Sequence, residues 1–158
     1  MTTTDQMRAI PAIALLALTL AAASSAAEAR NESYWQERYC RGMELEKHLP
    51  SGGYVDCLSS KLAIEVEWVE NWAEAVGQSL YYAASTDRKP GIILLCESSE
   101  THVEGLCRSY IYRLEEALQF VSTNVEIWEC FIDTDKTLND CFRPQIQGES
   151  EIDDNGGQ

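Results

Sequence analysis

Apolar and polar residues alternate along the chain in a pattern that predicts an α/β protein. Residues 53–58 and 62–67 alternate with a period of two, as in half-buried strands, and the polar residues 59–61 between them favour a hairpin. Residues 32–47 are predicted as a first helix, 50–53 as a turn and 70–84 as a second, amphipathic helix. An apolar run at 91–96 predicts a buried strand, and a helix at 103–121 and a strand at 125–131 follow. The predicted fold is a mixed central sheet flanked by helices.

Three carboxylates lie on the predicted hairpin. Successive strand residues point to opposite faces, so Glu65 and Glu67 share one face of the second strand. On the first strand Asp56 faces away from Val55 and Cys57, and a hairpin in the right register brings it next to the two glutamates. Carboxylates this close raise one another's pKa unless a cation neutralises them, and their oxygens suit magnesium. The alternative interpretation is the solvated face of an amphipathic hairpin.

The helix predicted at 70–84 carries a second polar set. Glu74, Gln78 and Tyr82 form one stripe at four-residue spacing. The opposite, apolar face is formed by Trp72, Ala73, Val76, Leu80 and Ala83. A glutamine and a tyrosine at this spacing are typical of an ordinary exposed helix face, but here they directly follow the three acids of the hairpin.

In this order the segments resemble the PD-(D/E)XK nuclease superfamily, over about residues 34–97. The matching segments are Val-Asp-Cys-Leu at 55–58, Ala-Ile-Glu at 63–65, Trp-Ala-Glu-Ala-Val-Gly-Gln-Ser-Leu-Tyr-Tyr-Ala at 72–83 and Lys-Pro-Gly-Ile-Ile-Leu at 89–94. The resemblance implies a restriction-endonuclease-like core with Asp56 and Glu65 as metal ligands. It also implies that Gln78 and Tyr82 form a QxxxY motif, which positions nucleic acid or supports the site. A first-helix acid is implied too, with Glu37 the best match and Glu44 and Glu46 weaker ones.

One position departs from the family pattern. Glu67 stands where the usual lysine would be, and a carboxylate cannot supply the positive charge that lowers the pKa of water and stabilises the phosphate. It can act as a general base or help to hold a second ion. The function predicted is hydrolysis of phosphodiester bonds, in DNA, with Mg²⁺ or Mn²⁺ held by Asp56, Glu65 and Glu67. The alternative is a secreted binding module that keeps the nuclease fold without catalysis.

The amino-terminal segment 1–29 is predicted to be a signal peptide. A run of fourteen apolar residues at 10–23 follows Arg8, and small residues lead to a cleavage site after Ala29. The run is short for a membrane-spanning helix, so a cleaved leader is favoured over a permanent anchor. The rest is predicted as one exported domain at 30–147, periplasmic or secreted, followed by an acidic disordered tail at 148–158.

Six cysteines agree with export to an oxidising compartment. They include no CxxC pair, so three disulfides are the simpler inference, although six cysteines allow fifteen pairings. The favoured pairing joins Cys40 to Cys57, Cys96 to Cys107 and Cys130 to Cys141, because the last two would close short loops at strand ends. A free catalytic cysteine is the alternative, but neither His48 nor His102 lies in a recognisable nucleophile motif.

The charge of the chain limits how it can bind nucleic acid. The formal net charge is −14, from 12 Lys and Arg against 26 Asp and Glu, and it is −13 without the predicted leader, which holds Arg8, Asp5 and Glu28. Affinity for phosphates usually rests on lysine and arginine, so binding is expected to be weak and sensitive to salt. The local basic candidates are Lys61, Arg88 and Lys89.

Overall fold

The structure is a computed structural model, and it describes residues 31–97 and 101–144. The predicted signal peptide and acidic tail lie outside the described residues. In chain order the elements are α1 (Glu32–Tyr39), β1 (Glu44–His48), β2 (Tyr54–Leu58), β3 (Leu62–Trp68), a 3₁₀ turn (Val69–Asn71), α2 (Trp72–Thr86), β4 (Lys89–Cys96), α3 (Thr101–Leu118) and β5 (Glu126–Phe131). None of the helices in this part of the chain is both long enough and apolar enough to cross a membrane.

The five strands form one mixed sheet in the order β1-β2-β3-β4-β5. Strands β1, β2 and β3 are antiparallel, while β3, β4 and β5 are parallel. Parallel neighbours need long crossover connections, which α2 and α3 provide. Strand β4 is buried along almost its whole length, as its unbroken apolar run requires when helices cover both faces. The prediction of a mixed sheet flanked by helices is therefore confirmed.

Two large apolar clusters cover the sheet, one on each face, and a third, smaller cluster contains Leu49, Val55, Ala63 and Tyr82. The first lies under α1 and includes Trp35, Tyr39, Ile64, Val66 and Trp128. The second lies under α2 and α3 and contains the alternate residues of β4 and β5, such as Ile92, Leu94 and Ile127, with Ile111 and Leu114 of α3. Alternation along β3 therefore separates its large apolar residues, which join the first cluster, from its two glutamates.

The prediction of a single helix over 32–47 is wrong in its second half. Helix α1 ends at Tyr39, and Glu44–His48 forms the edge strand β1, paired with β2. Gly42 lies between them with a φ of 85°, a left-handed conformation that glycine adopts without steric cost and that ends a helix. The residues of β1 are good helix formers, but pairing with β2 outweighs this weak preference. Every residue of β1 is exposed, and its charges protect the sheet edge.

The other predicted elements are confirmed with small shifts at their ends. In the turn between β2 and β3, the Ser59 hydroxyl accepts hydrogen bonds from the backbone N–H groups of Lys61 and Leu62, at 3.2 and 2.9 Å. The helix predicted at 70–84 begins at Trp72 after one 3₁₀ turn, and the helix predicted at 103–121 spans Thr101–Leu118. The two parallel strands after α2 also fall where they were predicted.

The cysteines pair as the sequence favoured. Disulfides join Cys40 to Cys57, Cys96 to Cys107 and Cys130 to Cys141, with Cα–Cα distances of 5.8, 6.0 and 4.6 Å. These separations lie in the usual range for disulfides. The first bridge ties the end of α1 to β2, one residue after Asp56, and the third ties β5 to the loop that follows it. Three disulfides are compatible with an exported protein.

Candidate functional site

Asp56 lies where β2 separates from β3. The two strands pair only at the positions next to their connecting turn. Beyond them, Oδ2 of Asp56 accepts a hydrogen bond of 2.8 Å from the backbone N–H of Val66. If the two strands remained paired here, a backbone carbonyl of β2 would accept the hydrogen bond from Val66. The Asp56 carboxylate accepts it instead. Its side chain is held against β3, in the opening between the two strands.

The simple alternation predicted for β2 breaks at Asp56. Cys57 belongs to the cluster under α1, whereas Val55 packs in a separate cluster with Tyr82. The prediction that Val55 and Cys57 share one side is therefore wrong. Glu46, which lies opposite Asp56 in the pairing with β1, has a φ of 50°, and this left-handed residue interrupts the regular pleat of the strand pair.

Glu65 and Glu67 of β3 lie beside Asp56 of β2. Both glutamates are buried, with 4% and 9% of their surface exposed. Oε1 of Glu67 accepts hydrogen bonds from the backbone N–H of Trp68 at 2.7 Å and from the Asn71 side chain at 3.1 Å. Oε2 of Glu65 is buried and has no hydrogen-bond partner among the described residues. A buried carboxylate oxygen without a donor is costly, so this atom requires an explanation.

Two further acids and one amide complete the group. Glu32, at the start of α1, forms a hydrogen bond with Glu67 and interacts electrostatically with Asp56. Gln36 lies one helical turn later and is buried, and its amide nitrogen donates to Glu46 at 2.7 Å and to the carbonyl of Asp56 at 2.8 Å. We call Glu32, Glu46, Asp56, Glu65 and Glu67 the acid cluster.

Burial and mutual repulsion raise the pKa of several members of the acid cluster. Burial, then the charge and hydrogen bond of Asp56, raise the pKa of Glu65 to about 10. Burial raises the pKa of Asp56 to about 6, against hydrogen bonds from Val66 and Glu65 that lower it. The pKa of Glu32 rises to about 7 through burial and the charges of Glu67 and Asp56. Without a cation the cluster therefore holds protons at neutral pH.

The residue pair predicted on the second helix, Gln78 and Tyr82, also reaches the acid cluster. Tyr82 is buried, and its hydroxyl donates to Oε1 of Gln78 at 2.9 Å, while Nε2 of Gln78 donates to Glu74 at 2.8 Å. Burial and the charges of Glu65 and Asp56 raise the pKa of Tyr82, so its hydroxyl stays protonated. Tyr82 therefore faces the acid cluster rather than solvent, and Ala73, predicted on the apolar face of this helix, is exposed.

The first-helix acid in this group is Glu32, not Glu37. Glu37 is exposed on α1, and Glu44 pairs with Lys47 on the edge strand. The buried residues Trp35, Gln36 and Tyr39 define the inner face of α1, and Glu32 precedes Gln36 by one turn on that face. The helical phase of Trp35 and Tyr39 was the signal in the sequence that could have identified Glu32.

The residues of the acid cluster suit a hard divalent cation chemically, although they are not arranged as a closed cage. Carboxylate oxygens are the ligands that magnesium prefers, and a cation would satisfy Oε2 of Glu65. Among the described residues, however, only Cys96, Cys107 and Glu129 form a set of three side chains whose ligand atoms lie within 4.8 Å of one another. Those cysteines are joined in a disulfide, and Glu129 pairs with Arg108 at 3.0 Å. A cation at the acid cluster would therefore draw its carboxylates closer together.

Comparison of the chain with protein-family models, with curated proteins and with solved structures finds no match.

Proposed function

We propose that this protein is an exported, metal-dependent nuclease with a restriction-endonuclease-like fold that hydrolyses phosphodiester bonds in DNA. The observation that carries the proposal is the buried carboxyl of Glu65, which has a pKa raised to about 10 and an oxygen without a partner among the described residues, beside Asp56. Retaining such a group costs stability, and sites that keep strongly perturbed pairs of carboxylates are candidates for function. The order of Asp56, Glu65, Gln78 and Tyr82 along the chain, as the resemblance implies, supports it further.

The residues of the cluster take separate roles in this proposal. Asp56 and Glu65 would hold Mg²⁺ or Mn²⁺, which would supply a lowered pKa for water and neutralise charge on the phosphate. Glu67 would orient a water or help to hold a second ion, and its bonds to Trp68 and Asn71 limit its motion. The Tyr82 hydroxyl, which donates its single proton to Oε1 of Gln78 in the structure, would turn from Gln78 to donate to a phosphate or sugar oxygen of the substrate.

A secreted binding module without catalysis is the second candidate function. Glu67 in place of the usual lysine favours it, because this position then offers no positive charge to stabilise the phosphate. The shared hydrogen bond of Asp56 with Glu65 also favours it, since such a proton-sharing pair can persist without a metal. In this case the fold would present its surface to a partner and leave phosphodiesters intact.

A cleavage assay on the oxidised protein separates the two candidates. The nuclease should cut linear or circular DNA with Mg²⁺ or Mn²⁺ and stop in EDTA, and RNA in parallel reactions defines the substrate. Asp56→Asn should reduce the rate by about a hundredfold or more, since even outer partners of metal ligands are worth about 10- to 100-fold. No cleavage by the wild type on any substrate, with no calorimetric signal for magnesium, would reject the enzyme and favour the binding module.

We expect Glu32→Ala to lower the cleavage rate or the magnesium affinity by about tenfold, because Glu32 hydrogen-bonds Glu67 and thereby orients it, and alanine cannot form this bond. Glu37→Ala is the matched control on the same helix, since Glu37 is exposed, and its rate should stay within about twofold of the wild type. Magnesium titrations of the two variants check this. Equal effects of the two substitutions would contradict the assignment of Glu32 to the site.

A further inference from the structure

A basic groove lies at the end of the sheet where the three parallel strands begin. It is a cavity of about 710 Å³ beside the first residues of β3, β4 and β5. Its cations are Lys61, Arg88, Lys89 and Arg143, and we call these four residues and their cavity the basic groove. Lys61 comes from the turn before β3, Arg88 from the turn after α2, Lys89 is the first residue of β4, and Arg143 comes from the segment after β5.

The charges of the basic groove are not balanced by its own carboxylates. Two acids line it, Asp87 and Glu126, and Glu126 is already paired with Arg143. Lys61 and Lys89 are neighbours, because the backbone N–H of Lys89 donates to the carbonyl of Lys61 at 3.0 Å. Within the described residues neither lysine forms an ion pair, although the chain as a whole has a net charge of −14. Adjacent cations repel each other unless an anion lies between them.

The guanidinium groups of the groove are held in place. Arg88 donates to the backbone carbonyls of Ser59 and Thr86 at 3.3 and 3.2 Å. Arg143 lies over the ring of Trp128, with its guanidinium carbon 5.1 Å from the ring centroid. Because Arg143 covers this largely buried ring, Trp128 offers little surface on which a base could stack. The groove thus presents positive charge without an aromatic platform.

We propose that the basic groove binds the phosphate backbone of a nucleic acid strand, as a subsite separate from the acid cluster. This rests on the proposed nuclease function, and it supplies the phosphate contacts that an acidic chain otherwise lacks. Leu62 lines the groove and Glu65 is three residues further along β3, about 10 Å at the usual rise per residue, but its side chain lies on the opposite face, so a strand bound at both sites would pass around the end of the sheet. Contacts to phosphates carry no sequence information, so the groove contributes affinity without sequence preference.

The test is a binding measurement that does not depend on cleavage. Fluorescence anisotropy follows a fluorescein-labelled single-stranded oligonucleotide, and the corresponding duplex, in EDTA between about 50 and 200 mM salt. Lys61→Ala and Lys89→Ala should each weaken binding about tenfold, as expected of a charge-assisted hydrogen bond. In the double variant the slope of log K against log salt should fall by about 1.4 for the single strand, or about 0.7 per lost contact. Both lysines are exposed, so the variants should fold.

Lys136→Ala is the matched control, because this exposed lysine lies beyond the opposite end of β5. It should leave affinity and salt dependence unchanged. If the wild type and the Lys61→Ala/Lys89→Ala variant had equal affinity and an equal slope of log K against log salt, the proposal that the groove binds nucleic acid would be wrong. Binding of anionic lipid vesicles without binding of nucleic acid would also contradict it. Salt-sensitive binding that depends on the two lysines, without cleavage in magnesium, would support the groove and reject the nuclease.

Discussion

Glu65→Gln is expected to abolish metal-dependent cleavage and, in the same protein, to raise stability when metal is absent. The cleavage rate should fall by about a hundredfold or more, because the amide cannot offer a charged oxygen to a divalent cation. The stability should rise because glutamine carries no charge to bury, while it can still donate a hydrogen bond to Asp56, as the protonated Glu65 carboxyl does. Loss of function and gain of stability in one substitution is the signature of a site retained for its chemistry.

The stability change depends on pH with a definite sign. The pKa of Glu65 is raised from 4.5 to about 10 in the folded protein, so folding takes up a proton whenever the pH lies between these values. The raised pKa of Glu65 therefore costs no stability below about pH 4.5. Above this pH the free energy of unfolding falls as the pH rises toward 10. At pH 7 the penalty is about 3 kcal/mol, which Glu65→Gln should recover. In EDTA the unfolding free energy of the variant should vary less with pH than that of the wild type.

Urea unfolding in EDTA and in magnesium, across pH 5 to 8 (roughly the range in which folded proteins are most stable), measures this effect. Magnesium should stabilise the wild type and leave Glu65→Gln unchanged, since only a ligand that binds the folded state raises stability. Glu37→Gln serves as the exposed control and should behave as the wild type in both solutions. A variant no more stable than the wild type in EDTA would contradict the raised pKa of Glu65 and its cost to stability.

Removal of either the Cys40–Cys57 or the Cys130–Cys141 bridge should lower stability by about 3 kcal/mol, but only the first should impair the site. The bridges close loops with sequence separations of 17 and 11 residues, which give similar entropic contributions. Cys57 follows Asp56 directly, and Cys40 follows the helix that carries Glu32 and Gln36. Without the first bridge, α1 and β2 lose the covalent link that holds Glu32 near Asp56.

The two double-serine variants are therefore matched controls for each other. Both should unfold at lower urea concentration than the wild type. At a temperature where both remain folded, Cys40→Ser/Cys57→Ser should lose magnesium affinity and cleavage rate, whereas Cys130→Ser/Cys141→Ser should keep both. Equal loss of cleavage in the two variants would mean that stability alone, rather than the position of α1, limits activity.

The local sequence pattern was sufficient to predict those features that depend on a single helix, strand or turn. The polar turn at 59–61 joins β2 to β3 as predicted, and alternation along β3 places its glutamates opposite its apolar residues. The spacing of Gln78 and Tyr82 likewise predicted their contact, because residues four apart on a helix are neighbours. Pattern failed at β1, where residues with high helix propensity pair with β2, and at Val55, which packs against Tyr82 and not on the side of Cys57.

Periodicity, turn residues and cysteine spacing were enough to specify a mixed sheet flanked by helices, three disulfides and a hairpin with three acids. Those features depend on neighbours in sequence. The five-member acid cluster and the basic groove depend on elements distant in sequence: Glu32 and Glu46 join the hairpin from α1 and β1, and Arg143 joins the turns beside β3 and β4. The burial that raises the pKa of Glu65 also comes from packing around the whole sheet. Charge density and desolvation are properties of the assembled fold, so only the tertiary structure decides them.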